Sequence, residues 1–239
     1  MVTGPRTSSP AAPDPLRWRR RLRRLRRPAW LGSIRRTAPL SDHWGRDRGT
    51  PIDRYYIERF LAAERQAIRG RVLEVMNVDY TERFGTGVER SDILDIDGSN
   101  PSATIVADLA SADDVPSETF DCFVLTQTLQ YVYDLQSAVG HVHRILRPGG
   151  TVLCTVPTVS RIARRTLETE YWRLTALGSQ RLFADVFIGG SVDNQAHGNV
   201  LTAVAFLIGM AAEELSTREL ELVDPFFPVL VTIKATKAA

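Results

Sequence analysis

Residues 120–156 read FDCFVLTQTLQYVYDLQSAVGHVHRILRPGGTVLCTV, and their order of apolar and turn-forming residues indicates the fold class. The first apolar run, over 120–126, predicts a buried strand, and residues 135–146 space their apolar side chains as a helix does. The Pro-Gly-Gly sequence at 148–150 ends that helix. Because a second apolar run follows at 151–156, the order predicts two strands joined by a helix, the unit from which a parallel sheet is built.

Strand-like and helix-like segments alternate along the rest of the chain. Apolar runs predict further strands over 72–76, 91–96, 103–107 and 227–235. Helical spacing predicts helices over 51–68, 171–187 and 199–215, with Thr50 and Asn199 near the starts of the first and the last. The link between the strands at 91–96 and 103–107 is too short for a crossover helix, so we expect a loop there. The sequence predicts an α/β fold, a Rossmann-like doubly wound sheet with helices on both faces.

The chain divides by charge into two parts. Residues 1–40 hold 11 arginines and one acid, Asp14, a net charge of +10, which leaves −8 of the total of +2 for the other residues. We expect 1–40 to be a basic arm, disordered or amphipathic, and 41–239 to be one domain. Leucines and Trp18 among the arginines of 16–27 suit weak contact with an anionic membrane surface or RNA, and a solvated tail is the alternative. An acidic body argues against specific nucleic-acid binding.

The cysteines and the apolar runs bear on location. Cys122 and Cys154 stand in separate apolar stretches, which predicts buried, reduced thiols and favours a cytoplasmic protein. No cluster of histidine, cysteine and acidic residues has the spacing of a metal site, so no metal is expected. The longest apolar run, 200–212, is too short to span a bilayer.

At least one polar residue stands at or just after the end of each of three successive predicted strands. In a doubly wound sheet the ligand binds outside the carboxyl ends of the strands. The residues at those ends are Met76 and Asn77, then Asp95 and Asp97, then Asp108 and Leu109. Carboxylates there can accept hydrogen bonds from ribose hydroxyls and from the adenine amine. The pattern therefore predicts a nucleoside site.

Several of these motifs resemble those of a known family. The sequences FDCFVL at 120–125 and VHRILRPGG at 142–150 are similar to the fourth strand and the helix-turn-strand of class I S-adenosylmethionine-dependent methyltransferases. The block 71–157 resembles the type-11 methyltransferase domain. A wider likeness, over roughly 40–237, is to a bacterial subgroup that carries sequences like DRGTPIDRYYIE at 47–58. The resemblance implies a mostly parallel sheet with an antiparallel C-terminal strand.

One motif of the family is degenerate in this chain. Glu74 matches the acid of its glycine-rich turn, but the glycines are missing, and Met76 and Val78 stand where glycine would permit a close approach or a positive φ. Two interpretations remain open. The chain is a methyltransferase with a relaxed turn, or it is a non-catalytic binding or scaffold protein that has kept the fold.

The resemblance implies the cofactor, the acceptor and the site residues. It implies S-adenosylmethionine, and an acceptor that is a small molecule or sugar-like compound in glycan or secondary-metabolite biosynthesis. Catalytic roles are expected for Gln130, Tyr131 and His197. Arg54 is either a partner of the cofactor's carboxylate or an exposed helix charge. The residues expected to bind the cofactor are Glu74, Met76, Asn77, Asp95, Asp97, Asp108, Leu109, Thr126 and Gln127.

Overall fold

A computed structural model describes residues 32–239. Residues Ala38–Ala239 form one compact unit, to which Gly32–Thr37 do not belong. The amphipathic segment predicted at 16–27 lies outside the described residues. Within the described part, no helix combines the length and the hydropathy needed to cross a bilayer.

Seven strands form a single sheet in the order β3-β2-β1-β4-β5-β7-β6. The strands β1 to β5 are parallel, and β7 runs antiparallel to both of its neighbours, β5 and β6. Their bounds are Gly70–Val75 (β1), Val88–Asp95 (β2), Ile105–Val106 (β3), Phe120–Thr126 (β4), Leu146–Pro157 (β5), Ser191–His197 (β6) and Leu230–Thr236 (β7). The predicted doubly wound, mostly parallel sheet with an antiparallel C-terminal strand is confirmed.

Helices cover both faces of this sheet. Their bounds are Ile52–Ala63 (α1), Asp79–Phe84 (α2), Leu135–Ile145 (α3), Ala176–Ala184 (α4), Val200–Ile208 (α5) and Thr217–Glu221 (α6). Successive residues of a strand point to opposite faces, so Phe123 packs with α3 and α4 while Val124 packs with α1 and α5. Cys122 and Cys154 are buried in the sheet and unpaired, as predicted, and burial raises the pKa of both thiols.

Several elements are shorter than the sequence predicts. The first helix begins at Ile52 rather than after a Thr50 cap, because the Thr50 side chain is hydrogen-bonded to Glu213 (2.7 Å). The predicted helix 199–215 stops at Ile208, where Gly209 takes a left-handed φ of 79° and its N–H bonds back to the last turn. The Asn199 cap is confirmed, with the side chain accepting bonds from two backbone N–H groups of the first turn. The helix predicted over 171–187 and the strand predicted over 103–107 shrink to α4 and β3.

The sequence does not predict three elements, β6, α2 and α6. Strand β6 reads SVDNQAH and lies at the edge of the sheet, where polar side chains alternate toward solvent instead of forming an apolar run. Helix α2 has only six residues, too few for a periodic pattern. The link between β2 and β3 contains no helix, as expected from its length.

Candidate active site

The turn that follows β1 has the left-handed conformation that the family's glycine usually provides. Met76 adopts a φ of 70°, and its N–H donates to Leu94 O at 3.0 Å. A side chain in this conformation costs about 1–2 kcal/mol relative to the right-handed region. The Met76 side chain is 65% exposed, so it does not pack into the turn. This turn therefore has a glycine-like, left-handed φ although the residue is a methionine.

Hydrogen bonds to the Glu74 carboxylate anchor the chain that follows this turn. This buried carboxylate accepts hydrogen bonds from Tyr80 N (3.1 Å), Thr81 N (2.8 Å) and Thr81 Oγ1 (2.7 Å), at the start of α2. Burial raises the pKa of Glu74, and the bonds from Thr81 and Tyr80 oppose that rise. Because both carboxylate oxygens are used within the chain, Glu74 positions the turn. The structure thus shows these bonds within the chain at the position where the sequence predicts a cofactor contact.

Helix α1 is fastened to the same turn. Arg54 Nη1 donates to the Tyr80 hydroxyl, and the guanidinium lies 5.4 Å from the centre of the Tyr80 ring. The neighbouring Asp53 is half-buried, and burial raises the pKa of its carboxyl while the positive charges of Arg54 and Arg46 oppose the rise. The first turn of α1 therefore borders the candidate site, and Arg54 is a half-buried, tethered cation rather than a free helix charge.

The end of β2 brings Asp95 into the site. Its carboxylate accepts bonds from Asp97 N (3.0 Å) and from Asn100 Nδ2 (2.7 Å), and the same Asn100 amide donates to Met76 O (2.9 Å). These bonds tie the ends of β1 and β2 together and fix the Asp95 carboxylate beside Met76. Asp97 is exposed and accepts from Ser99 N, a bond that lowers its pKa and makes it a residue of its own turn. Asn77 likewise serves a local turn, accepting from Asp79 N.

Three exposed apolar side chains stand together at the ends of neighbouring strands. Met76, Ile96 and Val106, at the ends of β1, β2 and β3, are 65%, 71% and 56% exposed. Neighbouring strands lie about 4.8 Å apart, so these three residues lie close to Asp95 at the carboxyl edge of the sheet. Exposed apolar side chains near a carboxylate suit a purine base and its ribose. The sequence does not identify Ile96 and Val106, because an apolar residue at the end of a strand gives no sign that its side chain is exposed.

Asp108 and Leu109, which follow β3, differ in the exposure of their side chains. The Asp108 side chain is exposed and accepts from Ala110 N at 2.9 Å, capping a short 3₁₀ turn. Leu109 is buried in the core under α3, so only its backbone remains available to a ligand.

The segment after β4 holds two polar side chains with unused hydrogen-bonding groups. Gln127 takes a φ of 50°, and its N–H donates to Thr155 O (2.9 Å). The buried Gln130 side chain donates from Nε2 to Gln127 O (2.9 Å). Gln127 Nε2 and Gln130 Oε1 are both shielded from solvent and find no partner among the described residues. A buried polar group without a partner is costly, which marks this place for a ligand or for ordered water.

Thr126 and Tyr131 complete this segment. Thr126 is the last residue of β4 and is half-buried. The half-buried Tyr131 hydroxyl has a raised pKa because of burial and the nearby negative charge of Glu170. Tyr131 therefore keeps its proton at neutral pH and can donate a hydrogen bond.

The structure does not bring His197 to this group. It ends β6, three strand positions from β4 or about 14 Å at ordinary spacing. The ring stacks on Tyr56 with centroids 5.7 Å apart, and Nε2 is hydrogen-bonded to Thr232 Oγ1 at 2.9 Å. Burial and the positive charge of Arg59 lower the pKa of His197 to about 4. The structure therefore does not group His197 with Gln130 and Tyr131, and its imidazole is a packed, neutral ring.

Comparisons with known proteins agree with this architecture. A family model described as a methyltransferase domain matches residues 53–205, more than half of the chain. No curated protein matches the sequence. Within residues 32–239, no three histidine, cysteine or acidic side chains form a possible metal site.

Solved structures resemble the chain in fold at low sequence identity. A chain of the complex between the Haloferax volcanii Trm112 methyltransferase activator and the putative methyltransferase has a TM-score of 0.55 and 17% identity, covering 85% of this chain and 100% of that one. An S-adenosylmethionine-dependent methyltransferase from Mesorhizobium loti has a TM-score of 0.53 and 16% identity, covering 78% and 98%. The [4+2]-cyclase SpnF has a TM-score of 0.54 and 17% identity, covering 80% and 84%.

Proposed function

The chain belongs to the methyltransferase domain family and is an S-adenosylmethionine-dependent methyltransferase, and on that premise we propose that it methylates a small, sugar-like acceptor at the carboxyl ends of β1, β2 and β4. The reaction would serve the assembly of a glycan or a secondary metabolite. The observation that carries the location is that Met76, Ile96 and Val106, at three neighbouring strand ends, are exposed near the Asp95 carboxylate.

These residues fit the adenosyl part of the cofactor. A purine needs an apolar surface, which Ile96 and Val106 offer because they are exposed and not packed into the core. A ribose diol needs a hydrogen-bond acceptor, and Asp95 is an acid held in place by Asn100. The Met76 side chain leaves the turn open, so the missing glycine does not by itself close the site.

When bound, the cofactor supplies a methyl group on a sulfonium, and the protein's part is placement. Transfer to a nucleophile depends on an in-line approach, which is a matter of position and orientation. Gln127 and Gln130 lie after β4 with one unused donor and one unused acceptor, so they can orient a polar acceptor group. Tyr131 adds a protonated hydroxyl to the same segment. The first turn of α1, through Arg54, closes the side next to the β1 turn.

Calorimetric titration with S-adenosylhomocysteine tests the site. We expect micromolar binding by the full chain, and at least about tenfold weaker binding by Asp95→Asn, because a hydrogen bond to a charged group contributes about 1.5–3 kcal/mol. Asp97→Asn is the matched control, since Asp97 is exposed and bonded within its own turn; its affinity should stay within about twofold. The absence of binding at millimolar ligand, or equal losses in the two variants, would refute the proposed site.

A further inference from the structure

The segment that follows β5 is hydrogen-bonded to the segment that follows β4. Tyr171 N and Trp172 N both donate to Gln130 O, at 2.8 and 3.3 Å, and Trp172 Nε1 donates to Val132 O at 3.0 Å. The backbone around Tyr171 is therefore held directly against the residue whose side-chain oxygen has no partner. Any ligand that reaches Gln130 must lie beside this segment.

The same contact gathers three aromatic side chains at the surface, which we call the aromatic cluster: Tyr133, Tyr171 and Trp172. The rings of Tyr133 and Tyr171 meet edge to face with centroids 5.2 Å apart, and Trp172 lies 6.0 Å from Tyr133 at a tilt of 30°. Tyr133 is 71% exposed and Tyr171 is 48% exposed. Aromatic rings normally supply much of a core's buried area, so a group left exposed beside a candidate site marks a binding surface.

The aromatic cluster carries no free charge from the residues on either side of Tyr171–Trp172. Glu170 is 3% exposed and pairs with Arg173 at 2.6 Å, and its second oxygen lies 3.2 Å from Thr166 Oγ1. Neither Glu170 nor Arg173 therefore offers an unpaired charge to a ligand that contacts Tyr171 and Trp172. The surface is suited to a neutral ligand with an apolar face.

The unpaired amide atoms of Gln127 and Gln130 indicate which polar groups that ligand carries. Gln127 Nε2 is an unused donor, and Gln130 Oε1, on a side chain that is 96% buried, is an unused acceptor. A hydroxyl group both donates and accepts, so neighbouring hydroxyls satisfy the two atoms, whereas a hydrocarbon satisfies neither. Both atoms are shielded from solvent, so the side chains above them must shift when such a ligand enters.

We propose that the aromatic cluster and the amides of Gln127 and Gln130 form the acceptor subsite, and that it binds a neutral pyranose ring. The ring's C–H face packs on the exposed tyrosines, and its hydroxyls take the two free amide positions. A flat aromatic compound would use the aromatic cluster and leave the amides unpaired. This inference rests on the proposed function for the identity of the reaction, and it adds the class of acceptor and the residues that select it.

Saturation-transfer NMR on the full chain tests the subsite with defined probes. The probes are the methyl glycosides of glucose, galactose, mannose and rhamnose, with cyclohexanol and phenol as comparison ligands, each with and without S-adenosylhomocysteine. We expect transfer from the protein to ring C–H protons of at least one glycoside and weaker transfer to cyclohexanol and phenol. Stronger transfer to phenol than to every glycoside would overturn the pyranose assignment.

Three variants locate the binding. Tyr133→Ala should weaken glycoside affinity by about three- to tenfold, the usual effect of losing an aromatic contact. Gln127→Met removes the free donor and leaves the main-chain oxygen to which Gln130 is bonded, so we expect about a tenfold loss with the fold retained. Phe226→Ala is the matched control, because Phe226 is 86% exposed in the loop after α6, and it should change nothing.

The outcomes separate this inference from the proposed function. If S-adenosylhomocysteine binds but no glycoside receives transfer, or if Tyr133→Ala behaves like Phe226→Ala, the acceptor subsite is wrong and the methyltransferase site stands. If glycosides receive transfer that the Tyr133 and Gln127 variants lose while S-adenosylhomocysteine does not bind, the subsite stands and the proposed cofactor site is wrong.

Discussion

The residues at the two ends of β1 have similar φ angles, but one is a glycine and the other carries a long side chain. Gly70, at the amino end, has a φ of 64°, and Met76, just past the carboxyl end, has a φ of 70°. A Cβ on Gly70 would lie 2.5 Å from Asp121 Oδ2, a carboxylate that accepts from Arg71 N and from Arg147 Nη1, both at 2.8 Å. Met76 meets no such crowding, since most of its side chain is exposed.

The difference shows where this fold can carry strain. At the amino end glycine is required by packing, and the polar groups around it are paired. At the carboxyl end, left-handed side-chain residues follow both β1 and β4, and the amides of Gln127 and Gln130 are left with unpaired atoms. The strained backbone of Met76 and Gln127 and the unpaired amide atoms of Gln127 and Gln130 thus lie at the same edge of the sheet, where Glu74 and its bonds to α2 hold the β1 turn in place.

The largest effect that this comparison predicts is at Gly70. Gly70→Ala places a Cβ against the Asp121 carboxylate in an unfavourable conformation, so we expect the free energy of unfolding to fall by about 2–4 kcal/mol. Urea denaturation measures it. Gly87→Ala is the matched control, since Gly87 has a φ of 71° but nothing within 4 Å of its Cβ position, and it should lose only about 1–2 kcal/mol.

Equal losses of stability at the two glycines would contradict the contrast between the two ends of β1. They would mean that the contact with Asp121 adds nothing beyond the backbone penalty, and that the amino end of β1 is no more crowded than an open turn.

The sequence predicts the parts of this fold whose signals are local. Strand β4 has the bounds expected from its apolar run, and helix α3 ends within one residue of the prediction because Pro148 follows it. Strand β6 could not be predicted, because it owes its existence to pairing with β7 and its outward residues are polar. A pattern of seven mostly polar residues becomes a strand only when a partner is present.

The site was predicted in the same uneven way. Asp95 is an acid after a strand, and the sequence places it correctly beside Met76. Ile96 was missed because the sequence alone does not show that the side chain of an apolar residue is exposed. His197 was assigned to a functional loop, but it ends the undetected strand β6 and packs on Tyr56. The position of His197 was decided by the long-range pairing of β6 with β7 rather than by a local pattern.

His197 also lies at the carboxyl edge of the sheet, and we expect its titration to have an effect of intermediate size on the free energy of unfolding. Its pKa of about 4 in the folded protein is below the value of about 6.5 expected in the unfolded chain. As the pH falls, the unfolded chain therefore takes up a proton at His197 before the folded protein does. The stability that the neutral His197 ring contributes is complete above about pH 6.5 and is lost as the pH falls from 6.5 to 4.

A non-titrating replacement isolates this effect. His197→Gln can keep a hydrogen bond to Thr232, so the difference in unfolding free energy between wild type and variant should shrink by roughly 2 kcal/mol from pH 7 to pH 4.5. Urea denaturation across that range measures it. A difference that does not change with pH would show that His197 titrates normally, and would reopen the question of whether it belongs to the functional end of the sheet.

The smallest expected effect is at Met76, and it tests the comparison most directly. Met76→Gly relieves a backbone cost of about 1–2 kcal/mol and adds about 0.5–1 kcal/mol of chain entropy to the unfolded state, so stability should rise by roughly 0.5–1 kcal/mol. Met76→Ala keeps the Cβ and the strain and should leave stability nearly unchanged. If glycine and alanine behave alike, strain is not what distinguishes this end of β1. If glycine stabilises the fold and weakens S-adenosylhomocysteine binding, the exposed methionine contacts the ligand, and its side chain explains why the family's glycine is absent.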